Sequence, residues 1–321
     1  MPELEDYLKA ATRENTRRSY QSDLAHFEVT WGGFLPATAD SIARYLADHA
    51  ETLAVGTLRH RLAAIAKWHQ QNGFPDPTKA PLVKSVLKGI GELHPKGQNQ
   101  VKPLPFDHLE ILVTWLDKRL TEAIKKSHRQ TILKHSRNKA LLLIGFWRAF
   151  RSDELSRLRV ENISVTSGLG MEIYLPRSKG DRHNLGRSYK TPALKRLCPV
   201  SAYQDWIHNA QLKEGPVFRS INRWGHVSDD ALHVDSMVVI LRELFLSASI
   251  PDAEQFSSRS LRRGFATWAN DSQWDVKSLM EYVGWKDIKS AMRYIDATDA
   301  FSQKRIEASM DKHSSKRQPD S

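Results

Sequence analysis

Four short motifs in the chain of 321 residues hold arginine, lysine and tyrosine in an order that suits chemistry on a phosphate. The motifs are Arg151-Ser-Asp-Glu-Leu, Arg177-Ser-Lys-Gly, Arg259-Ser-Leu-Arg-Arg-Gly-Phe-Ala-Thr, and Gly284-Trp285 followed by Arg293-Tyr294. A planar guanidinium group can bind two nonbridging oxygens at once, where negative charge builds up as phosphorus becomes five-coordinate. A tyrosine hydroxyl can serve as the nucleophile. The motifs therefore predict phosphodiester transfer.

Arg151 and Arg262 are the predicted phosphate clamps. Helical spacing defines the core stripe around the second of them, and this stripe consists of Leu261, Phe265 and Trp268. Arg262 is therefore expected off the core face, on the same side as Arg259 three residues earlier. The alternative for Arg262 is an ordinary surface arginine.

Tyr294 is the candidate nucleophile. The core stripe of its helix consists of Ile288, Ala291, Met292 and Ile295, which leaves Tyr294 beside the core and available to a groove. Because a phenol has a pKa of about 10, the hydroxyl needs cationic surroundings and a proton acceptor to become reactive. A tyrosine packed in the core is the alternative.

The elements that position these residues fall into two predicted domains. Residues 1–94 are expected to form a helical domain, in which residues 12–94 provide about four helices. Residues 95–105 contain three prolines and no apolar period, which is typical of a linker. Residues 106–300 are expected to form a larger domain of helices with a small antiparallel β-sheet. A polar tail follows at 301–321.

Charge favours a polyanionic partner, because 48 Lys and Arg against 37 Asp and Glu give a net charge of +11. Basic groups gain binding free energy when phosphates release their condensed counterions. Nucleic acid is thus the first candidate and an anionic membrane surface the second. The predicted DNA-binding residues are Arg17, Arg59, Arg61, Lys67 and Lys102. For each of them, a solvated surface position is the alternative.

Several classes of protein lose support. The longest apolar run, Ala140 to Trp147, is too short to span a bilayer, so we expect no membrane association. The start of the chain lacks the basic and apolar regions of a secretion signal, which favours the cytoplasm and, for a DNA-binding protein, the nucleoid. One cysteine, Cys198, excludes an internal disulfide, and no nucleotide or metal motif is present. We therefore expect no cofactor and no metal.

The ordered motifs resemble the tyrosine recombinase (phage integrase) family, and most closely its Cre branch. The resemblance covers essentially the whole chain. It implies a mainly α fold, with an all-α core-binding domain followed by an α+β catalytic domain. It also implies a site-specific recombinase that acts on double-stranded DNA as a homo-tetramer through a Holliday junction, with room for accessory proteins. The free protein is expected to be a monomer or weakly associated, and its tail, with Phe301, Ile306 and Met310, to contact a neighbouring protomer.

The resemblance also assigns roles to individual residues. Lys179 would protonate the leaving 5′ oxygen, with Lys190 as the competing candidate. Glu154 would orient an active-site cation, and a surface ion pair is the alternative. Trp285 would pack beside the phosphate and donate its indole N–H, and a purely structural tryptophan is the alternative.

Arg259 departs from the family pattern, in which this position is usually histidine. Arginine can donate to a phosphate oxygen but cannot accept a proton at neutral pH, so the general base is left open. His226 and His233 are candidates from elsewhere in the domain. Two alternative functions follow: a DNA-binding regulator of the same fold without catalysis, and a topoisomerase-like or telomere-resolving enzyme.

Overall fold

The computed structural model divides the chain into two compact units, residues 1–100 and 101–321. It describes residues 12, 14–95, 101–176 and 185–292. The boundary between the units lies inside the predicted linker 95–105. Each unit has its own hydrophobic core.

The first unit is built from four α-helices in the part of the chain described. These are α1 (Glu14–Ala25), continued by a π-helical turn (His26–Thr30), α2 (Ala39–Asp48), α3 (Val55–Gln71) and α4 (Pro81–Leu93). Thr38 caps α2, since its hydroxyl accepts a hydrogen bond from the Ser41 N–H at 3.2 Å. Apolar side chains from all these elements meet in one core, which includes Phe27, Ile42, Tyr45, Leu46, Leu58, Ile65, Val83 and Ile90.

The second unit contains helices and two small antiparallel sheets. Its helices are α5 (Phe106–Lys125), α6 (Arg129–Trp147), α7 (Ser152–Ser156), α8 (Pro199–Ala210), α9 (Val234–Ser247), α10 (Ser258–Asp271), α11 (Val276–Val283) and α12, described over Ile288–Met292. Its strands are β1 (Ile163–Thr166), β2 (Gly170–Leu175), β3 (Arg187–Pro192), β4 (Arg219–Ile221) and β5 (Val227–Ala231). The predicted fold class, mainly helical with a small antiparallel sheet, is confirmed.

The three-stranded sheet has the order β1-β2-β3, with Ile173 of β2 opposite Tyr189 of β3. Strands β4 and β5 form a separate hairpin. The sequence predicted the first sheet but not the second.

Helix α6 lies at the centre of the second unit. Leu141, Leu142, Leu143 and Ile144 are all fully buried, which means that neighbours cover every side of this part of the helix. The helix ends at Trp147, and the chain then turns through Ala149 at a φ of +50° to reach α7. The end of this central helix therefore places Arg151, the first of the two predicted clamp residues, next to the interior of the unit.

Residues 101–105 cross helix α10 at very short range. The Leu104 N–H donates to the Ser260 carbonyl at 2.9 Å, and the Leu104 side chain is fully buried. A Cβ atom on Gly264 would lie 2.2 Å from the Leu104 carbonyl oxygen, so only glycine permits this crossing. The last part of the predicted linker is thus packed onto the second unit.

Candidate active site

Arg151 and Glu154 form a compact pair at the start of α7. Arg151 is the N-cap residue of this helix, and its main-chain N–H donates to Glu154 Oε2 at 2.8 Å. The Arg151 Nη1 donates to the other carboxylate oxygen at 2.7 Å. Glu154 is 3% exposed, so its carboxylate is held by these bonds rather than by water. The Arg151 side chain stays partly open to solvent.

Arg262 reaches the same carboxylate from α10, 108 positions further along the chain. Its Nη1 lies 3.8 Å from Glu154 Oε2 and donates to the Ala149 carbonyl at 2.6 Å. The expectation that Arg262 lies off the core face is wrong, because the residue is 2% exposed. The face of α10 that carries Arg262 packs against the turn after α6, and Nη1 of the guanidinium makes its contacts there.

Trp285 extends this cluster from a third part of the sequence. Helix α11 ends at Gly284, which has a φ of +83°, and the next residue, Trp285, is buried. The Arg262 guanidinium lies 5.0 Å from the centre of the Trp285 ring, a cation–π distance. The structure therefore brings together four predicted site residues, namely Arg151, Glu154, Arg262 and Trp285.

Arg259 lies in the first turn of α10, one turn before Arg262, and is exposed. Its N–H donates to the hydroxyl of the N-cap residue Ser257 at 3.2 Å. The neighbouring Ser258 is buried, and its hydroxyl contacts the Ser152 hydroxyl at the start of α7. This serine contact joins the helix that carries Arg259 to the helix that follows Arg151. No sequence pattern predicted it, because the two serines are far apart in the chain.

Tyr294 and Lys179, the predicted nucleophile and general acid, lie outside the described residues, as do the tail residues 301–321. Lys190, the competing acid, is exposed on β3 opposite Glu172. Its neighbour Tyr189 points inward, where burial and, secondly, the Glu154 charge raise the pKa of its phenol. Tyr189 is therefore kept in the neutral form beside the cluster.

The two histidines considered as bases serve local turns. His226 is exposed at the β4–β5 hairpin, and its N–H donates to the Asn222 side chain at 3.0 Å. His233 is also exposed and caps α9, where Nδ1 accepts a hydrogen bond from the Asp235 N–H at 3.3 Å. These contacts do not link either ring to the arginine cluster.

The predicted DNA-binding residues differ in placement. On α3, Arg59 is exposed and Lys67 is half-buried, whereas the Arg61 side chain is only 12% exposed. Arg17 pairs with Glu14, and Lys102 pairs with Asp252 at 2.9 Å. The DNA-binding assignment of all five stays a prediction.

Arg61 belongs to a polar network inside the first unit. Its Nη1 donates to the Tyr45 hydroxyl at 3.0 Å and lies 2.8 Å from Nδ1 of His26. Asp23 lies 3.8 Å from Arg61 Nε and 2.6 Å from Nδ1 of His60. These contacts differ from the exposed position that the sequence suggested for Arg61, because its guanidinium is used to join α3 to α1 and α2.

Two further arginines approach the cluster without having been predicted. Arg148 is 2% exposed and follows α6 directly, and Arg187 begins β3. Both donate to main-chain carbonyls at the end of α11. The only sequence signal for Arg148 is its position three residues before Arg151, within an otherwise apolar stretch.

Within the described ranges, no group of three or more His, Cys, Asp or Glu side chains could hold a metal ion. No helix in the same ranges is long and apolar enough to cross a membrane.

Comparison with known sequences gives three matches of interest. A family profile described as the phage integrase family matches residues 114–300. An integrase/recombinase XerD homolog of Selenomonas ruminantium is 28% identical over 283 residues, which cover 85% of this chain and 79% of that protein. The recombinase Cre of Escherichia phage P1 is 27% identical over 148 residues, 46% of this chain and 40% of that protein.

Solved structures with a similar fold include a recombinase and an integrase, each bound to DNA. XerH site-specific recombinase, in a post-cleavage complex with a palindromic difH substrate, has a TM-score of 0.60 at 17% identity and covers 91% of this chain and 78% of its own. The Tn1549 transposon integrase, in complex with circular intermediate DNA, has a TM-score of 0.60 at 14% identity, with 95% and 96% covered. At these identities the similarity concerns the fold.

Proposed function

Because the chain belongs to the phage integrase family of tyrosine recombinases, we propose that it is a site-specific DNA recombinase that works through a 3′-phosphotyrosyl intermediate. The observation that carries this proposal is the shared carboxylate of Glu154, which holds Arg151 and Arg262 together although they are far apart in sequence. Two guanidinium groups fixed on one carboxylate leave a net positive charge among these three side chains. Such a preorganised charge suits a phosphate whose oxygens become more negative in the transition state.

The proposed reaction exchanges one ester for another. The Tyr294 oxygen bonds to phosphorus, the bond from phosphorus to the 5′ oxygen breaks, and the 5′ oxygen leaves as a hydroxyl after accepting a proton. Arg151 and Arg262 bind the nonbridging oxygens, and Trp285 packs beside Arg262. Lys179 or Lys190 would supply the proton. Because the phosphotyrosyl ester keeps the free energy of the broken phosphodiester, rejoining needs no nucleotide hydrolysis, and the guanidinium groups can provide the charge that a metal would otherwise supply.

Arg259 would act as a third charge donor rather than as a base. Its exposed position one turn before Arg262 leaves its guanidinium open to a ligand. The proton of the Tyr294 hydroxyl would then pass to water, to a phosphate oxygen or to another side chain.

Double-stranded DNA is the proposed partner, and the net charge of +11 supports it. We further propose a homo-tetramer on two DNA sites that exchanges strands through a Holliday junction, formed from monomers or weakly associated protomers in the nucleoid. The second unit offers an apolar cavity of about 550 Å³ that could receive the tail of a neighbour, with Phe301, Ile306 and Met310 as anchors. Its aromatic lining consists of Phe106, Trp147, Phe265, Trp268, Trp274 and Tyr282.

A nicked suicide duplex from the native locus, incubated with the full-length protein, tests the proposal. The short fragment that leaves with a free 5′ hydroxyl diffuses away, so a covalent adduct should accumulate and map to Tyr294. Tyr294→Phe should keep DNA affinity and form no adduct. Tyr174→Phe is the matched control, because Tyr174 is an exposed tyrosine of the same unit and should leave the adduct unchanged. Adduct formed by Tyr294→Phe would reject the assigned nucleophile.

Arg259 keeps one alternative of a different class open, a DNA-binding regulator without catalysis. This regulator would bind the duplex specifically and give no adduct in the wild-type protein. A topoisomerase-like or telomere-resolving enzyme would form the adduct but would not join ends from two different duplexes. Two labelled duplexes of unequal length therefore separate the three functions in one experiment, since only a recombinase gives products of mixed length.

A further inference from the structure

Arg148 is a buried cation that the proposed chemistry does not use. It is 2% exposed and follows the last residue of α6, three positions before Arg151. Among the described residues its hydrogen-bond acceptors are main-chain carbonyls rather than carboxylates. Burial lowers the pKa of its guanidinium. Burying a charged group destabilises a protein unless its hydrogen bonds are well directed. The position of the two carbonyls that Arg148 binds therefore indicates what the residue does.

The two carbonyls belong to different elements. Nη1 donates to the Lys190 carbonyl of β3 at 3.0 Å, and Nη2 donates to the Tyr282 carbonyl in the last turn of α11. The guanidinium also lies 4.0 Å from the centre of the Tyr282 ring and 5.0 Å from that of Tyr189. One planar group thus joins three elements, namely the end of α6, the strand β3 and the end of α11.

The last turn of α11 has a donor for each of three consecutive carbonyls. The Met280 carbonyl accepts from the N–H groups of Gly284 and Trp285, and the Glu281 carbonyl accepts from Arg187 Nη2 at 2.8 Å. Arg148 completes the set at Tyr282. Cations at a helix C-terminus are favourable because the last carbonyls carry partial negative charge. The two arginines therefore fix the turn from which the chain runs to Trp285 and α12.

We propose that Arg148 is a positioning residue for strand cleavage, which holds β3 and the end of α11 at the spacing that the reaction requires. This inference rests on the proposed function. Strand β3 carries Lys190, and Tyr294 lies two positions beyond the described part of α12. The acid and the nucleophile must act on opposite sides of one phosphorus, so a shift of about 1 Å between strand and helix can cost about 10²-fold in rate.

Single-turnover cleavage of the suicide duplex by full-length Arg148→Met and Arg148→Lys tests the proposal. The rate constant measures how fast the folded molecules cleave DNA. The amplitude measures what fraction of the protein is folded and active. We expect the rate constant of Arg148→Met to fall by about 10²-fold at unchanged DNA affinity. The rate constant of Arg148→Lys should fall less, since lysine keeps the positive charge and one donating nitrogen. The lysine variant also preserves the test if the methionine variant does not fold.

Arg137→Met is the matched control. Arg137 is also a buried arginine of the second unit, lies on α6, and donates to a main-chain carbonyl, that of Arg219 at 3.1 Å. The Arg137→Met variant should reduce the amplitude of cleavage and leave its rate constant unchanged. If Arg148→Met and Arg148→Lys behave like Arg137→Met, Arg148 is a structural residue only and the proposal is overturned.

A duplex with sulfur in place of the bridging 5′ oxygen provides the second readout. A thiolate leaves without accepting a proton, so alignment of the acid on or beside β3 no longer matters. The loss caused by Arg148→Met should therefore be smaller on the sulfur duplex than on the oxygen duplex, and an equal loss would contradict the coupling to β3. If the wild-type protein forms no Tyr294 adduct on either duplex, the proposed function itself fails, which is a different result.

Discussion

Each unit largely encloses an arginine that helical spacing placed on a solvent-facing side, but the two units use it differently. In the first unit, Arg61 binds side chains that titrate, namely Tyr45 and His26. In the second unit, Arg262 binds the main-chain carbonyl of Ala149 and the carboxylate of Glu154. One partner of Arg262, the main-chain carbonyl of Ala149, accepts a hydrogen bond at any pH, whereas Tyr45 and His26 can change their protonation. The carbonyl therefore helps to hold Arg262 in one orientation for a developing charge.

Charge balance separates the two networks further. Asp23 lies near Arg61, so the first network contains one carboxylate for one arginine. Glu154 lies near both Arg151 and Arg262, so the second network contains one carboxylate for two. The excess of positive charge therefore falls where the motifs predict the phosphate.

The largest contrast is expected from matched substitutions of Arg262 and Arg61. Arg262→Gln should lower the single-turnover cleavage rate by about 10²–10³, as expected for the loss of one preorganised charge donor. Arg61→Gln should leave that rate unchanged at saturating DNA, because its guanidinium bonds within the first unit. Equal losses in both variants would remove the distinction between the two networks.

Glu154→Gln should weaken the second network while both arginines remain. We expect the free energy of unfolding to fall by about 1–3 kcal/mol, because a buried hydrogen-bonded carboxylate is replaced by an amide that cannot satisfy the same donors. Asp153→Asn is the control, since Asp153 forms a partly exposed ion pair with Arg157 at 2.8 Å. Asp153→Asn should change the free energy of unfolding by no more than about 0.5 kcal/mol. Urea titrations of the two variants measure both changes. A control that lost as much stability as Glu154→Gln would show that burial of the carboxylate is not the cause.

The salt dependence of DNA binding can test which α3 residues reach phosphate. Arg59→Gln should reduce the slope of log affinity against log salt by about 0.9, the contribution of one phosphate contact. Arg61→Gln should leave the slope unchanged, because Arg61 is engaged inside the unit. The measurement is a fluorescence anisotropy titration between 50 and 200 mM salt, the range over which counterion release is readily resolved. A reduced slope for Arg61→Gln, with none for Arg59→Gln, would show that Arg61 contacts a phosphate and Arg59 does not, which contradicts the prediction.

The smallest expected effect concerns pH. The pKa of His26 is lowered, first by burial and then by the charges of Arg61 and His49, so the folded first unit favours the neutral ring. A lowered pKa for a base means that its contribution to stability is present above about pH 6.5 and is lost as pH falls below that value. Hydrogen exchange in α1 and α2, corrected for intrinsic rates, should become faster at pH 5.5 than at pH 7.5.

His26→Gln should reduce this change in exchange between the two pH values, since it removes the titrating ring that contacts Tyr45 and Arg61. His49 and Asp23, which also face His26, remain in that variant. An unaltered pH response would show that His26 is not the group responsible.

Sequence patterns located most helices and strands but not the tertiary contacts that these elements make. The three strands β1 to β3 form the small antiparallel sheet that the sequence predicts, whereas β4 and β5 escaped prediction because β4 has three residues and β5, Val-Ser-Asp-Asp-Ala, is mostly polar. Thr38 caps α2, whereas Thr57 lies inside the first turn of α3, which begins at Val55 after Ala54. A threonine near a helix start therefore identifies the start only within a few residues.

The burial of Arg262 shows why the site was harder to predict than the fold. Apolar spacing identifies the exposed face of a helix only when one side is left to solvent. Helix α10 is covered on one side by residues 101–105 and on another by the turn after α6, so its residues from Ser260 to Ala266 are all buried. Contacts such as Glu154 to Arg262 and Ser152 to Ser258 join distant parts of the chain, and no local pattern contains that information.

The crossing of Leu104 over Gly264 has a consequence for the order of protein synthesis. A ribosome delivers Leu104 about 160 residues before Gly264, an interval of roughly 8–30 s at ordinary elongation rates. During that interval the segment at 101–105 has no helix to lie on, and the carboxylate of Glu154 has no Arg262 to meet. The helices of the first unit are complete in sequence much earlier, at Leu93. The nascent chain thus has its first unit long before its arginine cluster, and the cluster is among the last parts of the molecule to assemble.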